Sequence, residues 1–326
     1  MADTLVSAAV GGGFWLLSGG ALARASRVVQ AQADSPRVPL MGVLGAFLFA
    51  AQMVNFAIPG TGSSGHLGGG LLLAILLGPH AAVLVMGSVL LVQALFFADG
   101  GLLAFGCNLF NLGILPACVA FPLVYRPLRR RGQPLAAAVL GALVALEAGA
   151  LGVVLETALS GLAGLPLRPF LATMAAIHLP IALVEGLVTA GLLAYVARVR
   201  PAVLDERSAS PGQLLLGGFL ALALLAGGVL SWMASSRPDG LEWSLARTLG
   251  PTEPAPPGGS LHPLAARLQG RTALLPDYAF PGDPGAAHRK AGSALAGILG
   301  GALTVLLVGL IGWALGRLRR PAGRQG

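Results

Sequence analysis

Residues 60–70 read GTGSSGHLGGG and lie between two stretches of almost pure hydrocarbon, AFLFAAQMVNFAI at 46–58 and GLLLAILL at 70–77. The same contrast runs through all 326 residues, which are 55% hydrophobic and only 10% charged, with a mean hydropathy of +0.79. Soluble domains carry about 25% charged residues, and a membrane-spanning helix needs about 20 apolar residues. The composition therefore predicts an all-α polytopic membrane protein.

The apolar runs predict about nine transmembrane helices. The predicted spans are 7–25, 39–58, 66–78, 80–98, 101–124, 134–157, 169–198, 212–234 and 291–316. The third span is short and meets the fourth at Gly78–His80, where a Gly-Pro pair is typical of a turn. The first run lacks the basic region and cleavage site of a removable signal peptide, so we expect it to be retained.

Arginines cluster at the ends of the apolar runs. The clusters are Arg24, Arg27 and Arg37; Arg126, Arg129, Arg130 and Arg131; Arg198, Arg200 and Arg207; and Arg317, Arg319, Arg320 and Arg324. Positive residues mark cytoplasmic loops. With nine spans, this predicts an outside amino terminus and a cytoplasmic carboxyl terminus in the cell membrane. The net charge of +8 is thus explained by membrane orientation, and no nucleic-acid partner is expected.

Composition also divides the chain into two membrane modules. We predict a first domain over 1–200, a polar cytoplasmic linker over 201–211, and a second module over 212–326. The second module has two spans joined by an outer segment, 235–290, whose many prolines indicate an irregular loop.

Several polar side chains fall inside predicted spans. They are Gln52, Asn55, Gln93, Asn108, Asn111, Glu147, His178 and Glu185. Hydrogen bonding between helices accounts for most Asn and Gln residues in membranes, whereas an ionisable residue there often marks a functional site. Glu147 and Glu185 are therefore equally compatible with a functional and a structural role. His178 and Glu185 are seven residues apart on one helix face, so they either serve one site or support each other.

Missing motifs exclude several functions. Lys290 is the only lysine, and the residues before it do not form a Walker A sequence, so this chain does not carry a P-loop ATPase. No HExxH or CxxC zinc template is present either. Active transport by this chain would need energy from a partner.

Three motifs resemble the CbiM/NikM family, the substrate-capturing membrane subunits of energy-coupling factor transporters for cobalt and nickel. They are NFAIPGTGSSGHLGGG from Asn55, VQALFFADGGLLAFGCNLFN from Val92, and HLPIALVEGLVTA from His178. SSRPDGLEW at 235–243 and LPDYAFPG at 275–282 resemble the PDGLE module of the same systems. The resemblance implies Co²⁺ or Ni²⁺ uptake without a tightly bound cofactor, with an EcfT-type scaffold and two ATPase subunits as partners.

The resemblance implies a metal site at His66. The family begins Met-His, and its terminal amine, second amide nitrogen and second imidazole complete a planar set of nitrogen ligands. This chain has Met1 and then Ala2, so two interpretations stay open: a start further upstream restores Met-His, or the site lacks one nitrogen. Candidates for supporting or coupling roles are Asn55, Ser64, Asn108, His178 and Glu185.

Two other functions stay open at this stage. The GSSGH string favours an intramembrane serine hydrolase that uses Ser63 or Ser64 with a histidine base. A passive metal channel is the other alternative, and it would not need a tight ligand set. The sequence does not choose between Co²⁺ and Ni²⁺.

Overall fold

The computed structural model describes residues 1–31, 37–161, 165–205, 210–250, 261–280 and 286–318. Its main helices, numbered in chain order, are α1 Ala8–Ala31, α2 Val38–Gln52, α3 Gly70–Leu77, α4 Pro79–Phe97, α5 Phe105–Arg130, α6 Pro134–Leu159, α7 Leu167–Val199, α8 Gln213–Gly228, α9 Gly240–Leu249, α10 Leu261–Thr272 and α11 Ala286–Leu318. Shorter helical turns are Asp3–Leu5, Ala202–Asp205, Leu230–Met233 and Pro276–Tyr278. Strands β1 Phe56–Ala57 and β2 Ser64–Gly65 form a small antiparallel hairpin.

The multi-pass helical architecture is confirmed, but the count of nine spans is not. Among the residues that the structure describes, six helices are long and apolar enough to cross a membrane: α4, α5, α6, α7, α8 with the turn after it, and α11. The predicted span 66–78 contains helix α3, which has only eight residues and so is not among these six. Eight residues rise about 12 Å, far less than the roughly 30 Å hydrocarbon core.

Helix α2 lies at the centre of the molecule. Twelve of its 15 residues are buried, and it packs against α4 and against both long helices of the C-terminal module, α8 and α11. The two module helices cross at Gly227 and Gly297, where the absence of side chains lets the backbones approach closely. The C-terminal module is therefore built into the bundle.

Helix α2 is also shorter than predicted. The predicted span 39–58 placed Gln52 and Asn55 on one helix face, but the helix ends at Gln52. The chain then turns into the β1–β2 hairpin, so Asn55 belongs to the loop that carries His66. The predicted end of this span at residue 58 was wrong.

The segment predicted as an irregular outer loop, 235–290, contains α9, α10 and the turn Pro276–Tyr278. Helix α9 begins with a capping box in which Asp239 accepts from the Glu242 amide and Glu242 accepts from the Asp239 amide. The prediction of an irregular loop rested on the prolines and did not use the D-x-x-E pattern, which is typical of a helix start. Residues 251–260 and 281–285 of this segment lie outside the described residues, as do 206–209 of the linker and the end of the chain, 319–326.

Candidate functional site

Two cavities with volumes of about 610 and 140 Å³ share part of their lining. Met1, His66, Asn108 and Asp239 line both cavities. These residues come from the amino terminus, the hairpin loop, the start of α5 and the cap of α9. The fold thus brings four distant parts of the sequence to one place.

The amino-terminal segment is fixed in this place by hydrogen bonds to the start of α5 and the loop before it. The Met1 carbonyl accepts from the Gly101 amide and from Asn108 Nδ2, both at 3.1 Å. The Asp3 carboxylate accepts from the Ala104 amide at 2.8 Å. His262 Nε2 on α10 donates to the Val6 carbonyl at 2.9 Å. Met1 is therefore held beside the cavities.

His66 follows strand β2 and precedes the short helix α3. Its Nδ1 lies 3.2 Å from the Leu67 carbonyl oxygen, so a protonated Nδ1 donates there and leaves Nε2 available for a ligand. Gly69 has a φ of 74°, a left-handed conformation that favours glycine. The glycines after His66 thus allow a sharp turn into α3.

Glu185 of α7 holds the backbone that follows His66. It is 1% exposed, and its two carboxylate oxygens accept from the Gly68 amide at 2.6 Å and the Gly69 amide at 3.0 Å. A carboxylate that accepts two amide hydrogens forms strong, charge-assisted bonds. Glu185 therefore shapes the loop that presents His66.

A second pair of polar side chains holds the same loop from the other side. Gln52 Nε2 donates to the Gly68 carbonyl at 3.0 Å, and Gln93 Nε2 donates to Gln52 Oε1 at 2.8 Å. Both glutamines were predicted to make interhelical hydrogen bonds, and this prediction is confirmed for the bond between α2 and α4.

The segment Ser235–Trp243 of the C-terminal module crosses the hairpin loop. The Ser235 amide donates to the Asn55 carbonyl at 2.8 Å, and the Ser64 amide donates to the Pro238 carbonyl at 2.8 Å. Trp243 Nε1 donates to the Thr61 carbonyl at 2.9 Å. These bonds connect residues far apart in sequence and clamp the loop in one conformation.

The remaining sequence candidates lie around the cavities in different ways. Asn55 lines the larger cavity, and its Oδ1 is buried without a hydrogen-bond donor. Ser64 is fully buried, and its hydroxyl donates to the Arg237 carbonyl at 2.8 Å. His178 lines the smaller cavity and its Nδ1 donates to the Met174 carbonyl at 2.8 Å. His178 and Glu185 line the same cavity, but their hydrogen bonds go to different backbone groups.

Two features of the site escaped the sequence analysis. Asp239 lines both cavities, and the signal for it was the D-x-x-E capping pattern in RPDGLEW. Glu156 is 1% exposed in α6 and accepts from Asn111 Nδ2 at 2.9 Å. An ionisable residue inside an apolar helix was the available signal for Glu156.

Acidic side chains surround the mouth of the larger cavity. The Tyr278 hydroxyl donates to the Asp99 carboxylate, and Asp99, Asp277 and Lys290 line the cavity nearby. Burial and, next, the charge of Asp99 raise the pKa of Asp277 above its ordinary value. Burial also raises the pKa of Glu242, with a further contribution from Asp239. Asp99, Asp239 and Asp277 give the larger cavity an acidic lining beside Lys290, and ionised carboxylates attract cations.

Within the described part of the chain, no group of three His, Cys, Asp or Glu side chains is close enough to hold a metal ion. A metal at this site would therefore need main-chain donors beside His66, and Met1 lines the same cavities. Amine and imidazole nitrogens suit Ni²⁺ and Co²⁺.

The geometry does not favour the serine hydrolase alternative. Ser63 and Ser64 are fully buried, and both hydroxyls donate to backbone carbonyls. His66 Nδ1 faces the Leu67 carbonyl rather than either hydroxyl. A nucleophilic serine needs a base that takes its proton, and neither hydroxyl is arranged in that way.

Comparison with known proteins gives the family. Residues 1–203 match the CbiM model, described as the cobalt uptake substrate-specific transmembrane region, and 213–317 match the PDGLE domain. The putative fused nickel transport protein NikMN of Archaeoglobus fulgidus is 39% identical over 290 residues, which are 87% of each chain. The fused nickel transport protein NikMN of Rhodobacter capsulatus is 33% identical over 95% of this chain and 94% of its own.

A solved structure agrees with this assignment. A crystal structure of a truncated transition metal transporter is 28% identical, with a TM-score of 0.55, over 61% of this chain and 98% of that one. The family match covers more than half of the chain, and the fused relatives extend it through the second module. This chain belongs to the CbiM family of substrate-specific transmembrane regions, with a PDGLE domain following in the same polypeptide.

Proposed function

We propose that this protein is the substrate-specific membrane component of an importer for a divalent transition metal ion, Ni²⁺ or Co²⁺. The observation that carries the proposal is that Met1 and His66 line the same two cavities, 65 positions apart in the sequence. The named functions of the relatives, nickel transport in the fused proteins, support it. A role in transport rather than catalysis also agrees with the buried, backbone-bonded serines of the loop.

In this proposal His66 is the side-chain ligand, and the Met1 amine and the Ala2 amide nitrogen supply main-chain donors. Such nitrogen donors with planar geometry favour Ni²⁺. Asn108 positions Met1 by donating a hydrogen bond to the Met1 carbonyl. Glu185 positions the loop by accepting hydrogen bonds from the Gly68 and Gly69 amides. Ser64, Asn55 and His178 support the loop and the cavity walls around the ion.

The segment Ser235–Trp243 has a defined part in this proposal. It covers the His66 loop through the bonds of Ser235 and Trp243, and Asp239 and Gly240 line the smaller cavity. A metal ion entering from solution would pass this cover and the acidic mouth. Fusion of the two modules in one chain keeps the cover next to its loop.

Energy for import comes from other subunits in this proposal. The sequence lacks a Walker A motif, and a nucleotide triphosphatase needs such a phosphate-binding loop or an equivalent. We assign the partners as an EcfT-type scaffold and ATPase subunits, docked on the cytoplasmic side. The amino terminus, His66 and segment 235–290 face outward, and the carboxyl terminus faces the cytoplasm.

Uptake of radioactive nickel and cobalt by cells tests this proposal. Cells that produce the chain together with its scaffold and ATPase subunits should accumulate metal, and the His66→Ala variant should lose about tenfold or more, because a nitrogen ligand is removed. The control is His80→Ala at the start of α4, which lines neither cavity. Equal uptake by the two variants, or sustained accumulation without an ATPase subunit, would contradict the proposal.

A further inference from the structure

A separate cavity of about 340 Å³ lies at the opposite end of α5 from Asn108. It is formed by the end of α5, the residue before α2, the junction of α3 and α4, and the turn Ala202–Asp205. Its lining includes the guanidinium groups of Arg37, Arg126, Arg129 and Arg130. No carboxylate side chain is among the residues described as lining it. The described lining therefore brings four arginine side chains to one cavity.

The arginines are held in place by their surroundings. Arg37 is 6% exposed, and its two Nη atoms donate to the Leu76 carbonyl at 3.0 Å and the Val203 carbonyl at 3.1 Å. The Arg126 guanidinium lies over the Phe121 ring at 5.5 Å. Arg129 lies near the buried Tyr125 side chain. The guanidinium groups of Arg37 and Arg126 are thus partly ordered before any ligand binds, which lowers the entropy cost of binding.

The cavity also has an apolar side. Ile75, Phe121 and Leu204 form part of its wall. On the outer surface of α5, Leu123 is 69% exposed one turn before Arg126. The cavity therefore combines arginine side chains with an apolar wall at the end of a membrane-spanning helix, and an exposed leucine of the same helix is close to it in sequence. A ligand that fits both parts has an anionic head and an apolar tail.

Membrane orientation alone does not explain this arrangement. The positive-inside rule requires positive residues near the cytoplasmic ends of spans. It does not require those residues to meet at one cavity. Arg24, Arg27 and Arg131 are exposed, as Arg126, Arg129 and Arg130 are, but they lie outside the lining of this cavity. Arg200 donates instead to the Ser210 carbonyl at 3.1 Å. Only a subset of the arginines in the described part of the chain converges here, and it combines the end of α5 with Arg37 before α2.

We propose that this cavity binds the phosphodiester headgroup of an anionic phospholipid, with Arg126, Arg129 and Arg130 as donors to the phosphate oxygens beside the fixed charge of Arg37. Guanidinium groups present paired N–H donors that match phosphate oxygens. Basic pockets between membrane helices on the cytoplasmic side bind anionic lipid headgroups. A concave pocket of this size suits a headgroup better than a flat protein partner, whose interface needs about 800 Å² on each side. The bound lipid would bridge α5 to the turn Ala202–Asp205, near the junction of the two modules.

The test uses the full chain in a mild detergent, with phosphatidylglycerol, phosphatidylcholine and inorganic phosphate as probes. Native mass spectrometry measures bound lipid, and thermal unfolding measures stabilisation. We expect phosphatidylglycerol to bind and raise the melting temperature by about 3 °C or more, and phosphatidylcholine and inorganic phosphate to have little effect. The triple variant Arg126→Gln, Arg129→Gln, Arg130→Gln should weaken phosphatidylglycerol binding by about tenfold or more.

A matched variant provides the control. Arg24→Gln, Arg27→Gln, Arg131→Gln removes the same charge from residues outside the cavity, and it should keep the binding of phosphatidylglycerol. Equal losses in the two triple variants would overturn the proposal, because they would mean general charge attraction. Equal stabilisation by inorganic phosphate would overturn the assignment to a lipid. Phosphatidylglycerol binding that survives in the variant Arg126→Gln, Arg129→Gln, Arg130→Gln would overturn the assignment of the lipid to this cavity.

Discussion

At the scale of single residues, the buried carboxylate of Glu185 determines the conformation of the loop that presents His66. Its two oxygens accept from the amides of Gly68 and Gly69, and its burial removes any competing water. A buried donor left without an acceptor costs about 1–3 kcal/mol. The sequence placed this glutamate inside an apolar helix, and the structure gives it a specific partner.

Replacement of Glu185 by glutamine should loosen this loop. The amide has one oxygen and one NH₂ group, so it can accept from only one of the two glycine amides and faces the other with a donor. We expect Glu185→Gln to weaken Ni²⁺ binding by about tenfold, as measured by calorimetry, and to lower the melting temperature. Glu147→Gln is the control, because Glu147 lines neither cavity. If both variants bind metal like the parent chain, Glu185 does not position the site.

The roles of single residues were predictable where an ionisable side chain stands beside or within an apolar stretch of sequence. His66 and Glu185 stand out as ionisable groups beside or within apolar runs. The role of Ser64 was not predictable, because its hydroxyl bonds a carbonyl 173 positions away. Asp239 was missed because its helix is short and lies in a proline-rich stretch where apolar periodicity is weak. Long-range contacts of single side chains have no signal in one sequence.

At the scale of elements, the segment Ser235–Trp243 acts as a strap across the β1–β2 hairpin. A two-stranded hairpin is marginal without further support. Here the support comes from the backbone bonds of Ser235 and Ser64 and from the Trp243 indole. Helix α9, which follows, packs against α7. The strap thus joins the hairpin to the helix that carries Glu185.

Substitution of Trp243 tests the strap. Trp243→Ala removes the bond to Thr61 and the ring that packs near Ile58, so we expect amide hydrogen exchange in residues 56–65 to become about tenfold faster. Trp243→Phe keeps an aromatic ring without the donor and should have a smaller effect. Trp313→Ala on α11 is the control, since Trp313 is 57% exposed. Unchanged exchange in Trp243→Ala would show that the hairpin does not depend on the strap.

Long apolar helices were predictable from composition, whereas the short elements were not. The lengths of α6 and α7 follow from runs that are apolar over more than two dozen residues. Hydropathy predicts a membrane span at helix α3. However, Gly69 before the helix and Gly78 after it both adopt positive φ and limit it to eight residues. Tertiary packing around the His66 loop decides such boundaries, and hydropathy does not record packing.

At the scale of the whole molecule, the two ends of the bundle differ in charge. One end carries Asp99, Asp239 and Asp277 around the cavities, and the other carries the arginine-lined cavity. Anionic lipids of the cytoplasmic leaflet attract basic residues, and the positive-inside rule gives the same orientation. The acidic end with His66 therefore faces outward in our account.

Cysteine labelling tests this orientation. In a background with Cys107 and Cys118 replaced by alanine, Gly270→Cys on α10 should react with a membrane-impermeant reagent added to intact cells. An added side chain at Gly270 meets nothing within 4 Å, so this substitution does not disturb packing. Arg131→Cys should react only after permeabilisation, by a difference of about tenfold or more in labelling. The reverse pattern would place His66 on the cytoplasmic side.

The central claim, that His66 and the amino terminus form the metal site, is tested most directly by calorimetry with Ni²⁺ and Co²⁺. The CbiM/NikM resemblance implies an imidazole where this chain has Ala2. The chain as given should therefore bind weakly, and a Met-His pair added before Met1 should raise the affinity by at least tenfold, roughly 1.4 kcal/mol. In that extended form His66→Ala should abolish high-affinity binding, while His80→Ala should retain it. Equal affinities with and without the added pair, or high-affinity binding that survives His66→Ala, would contradict the account.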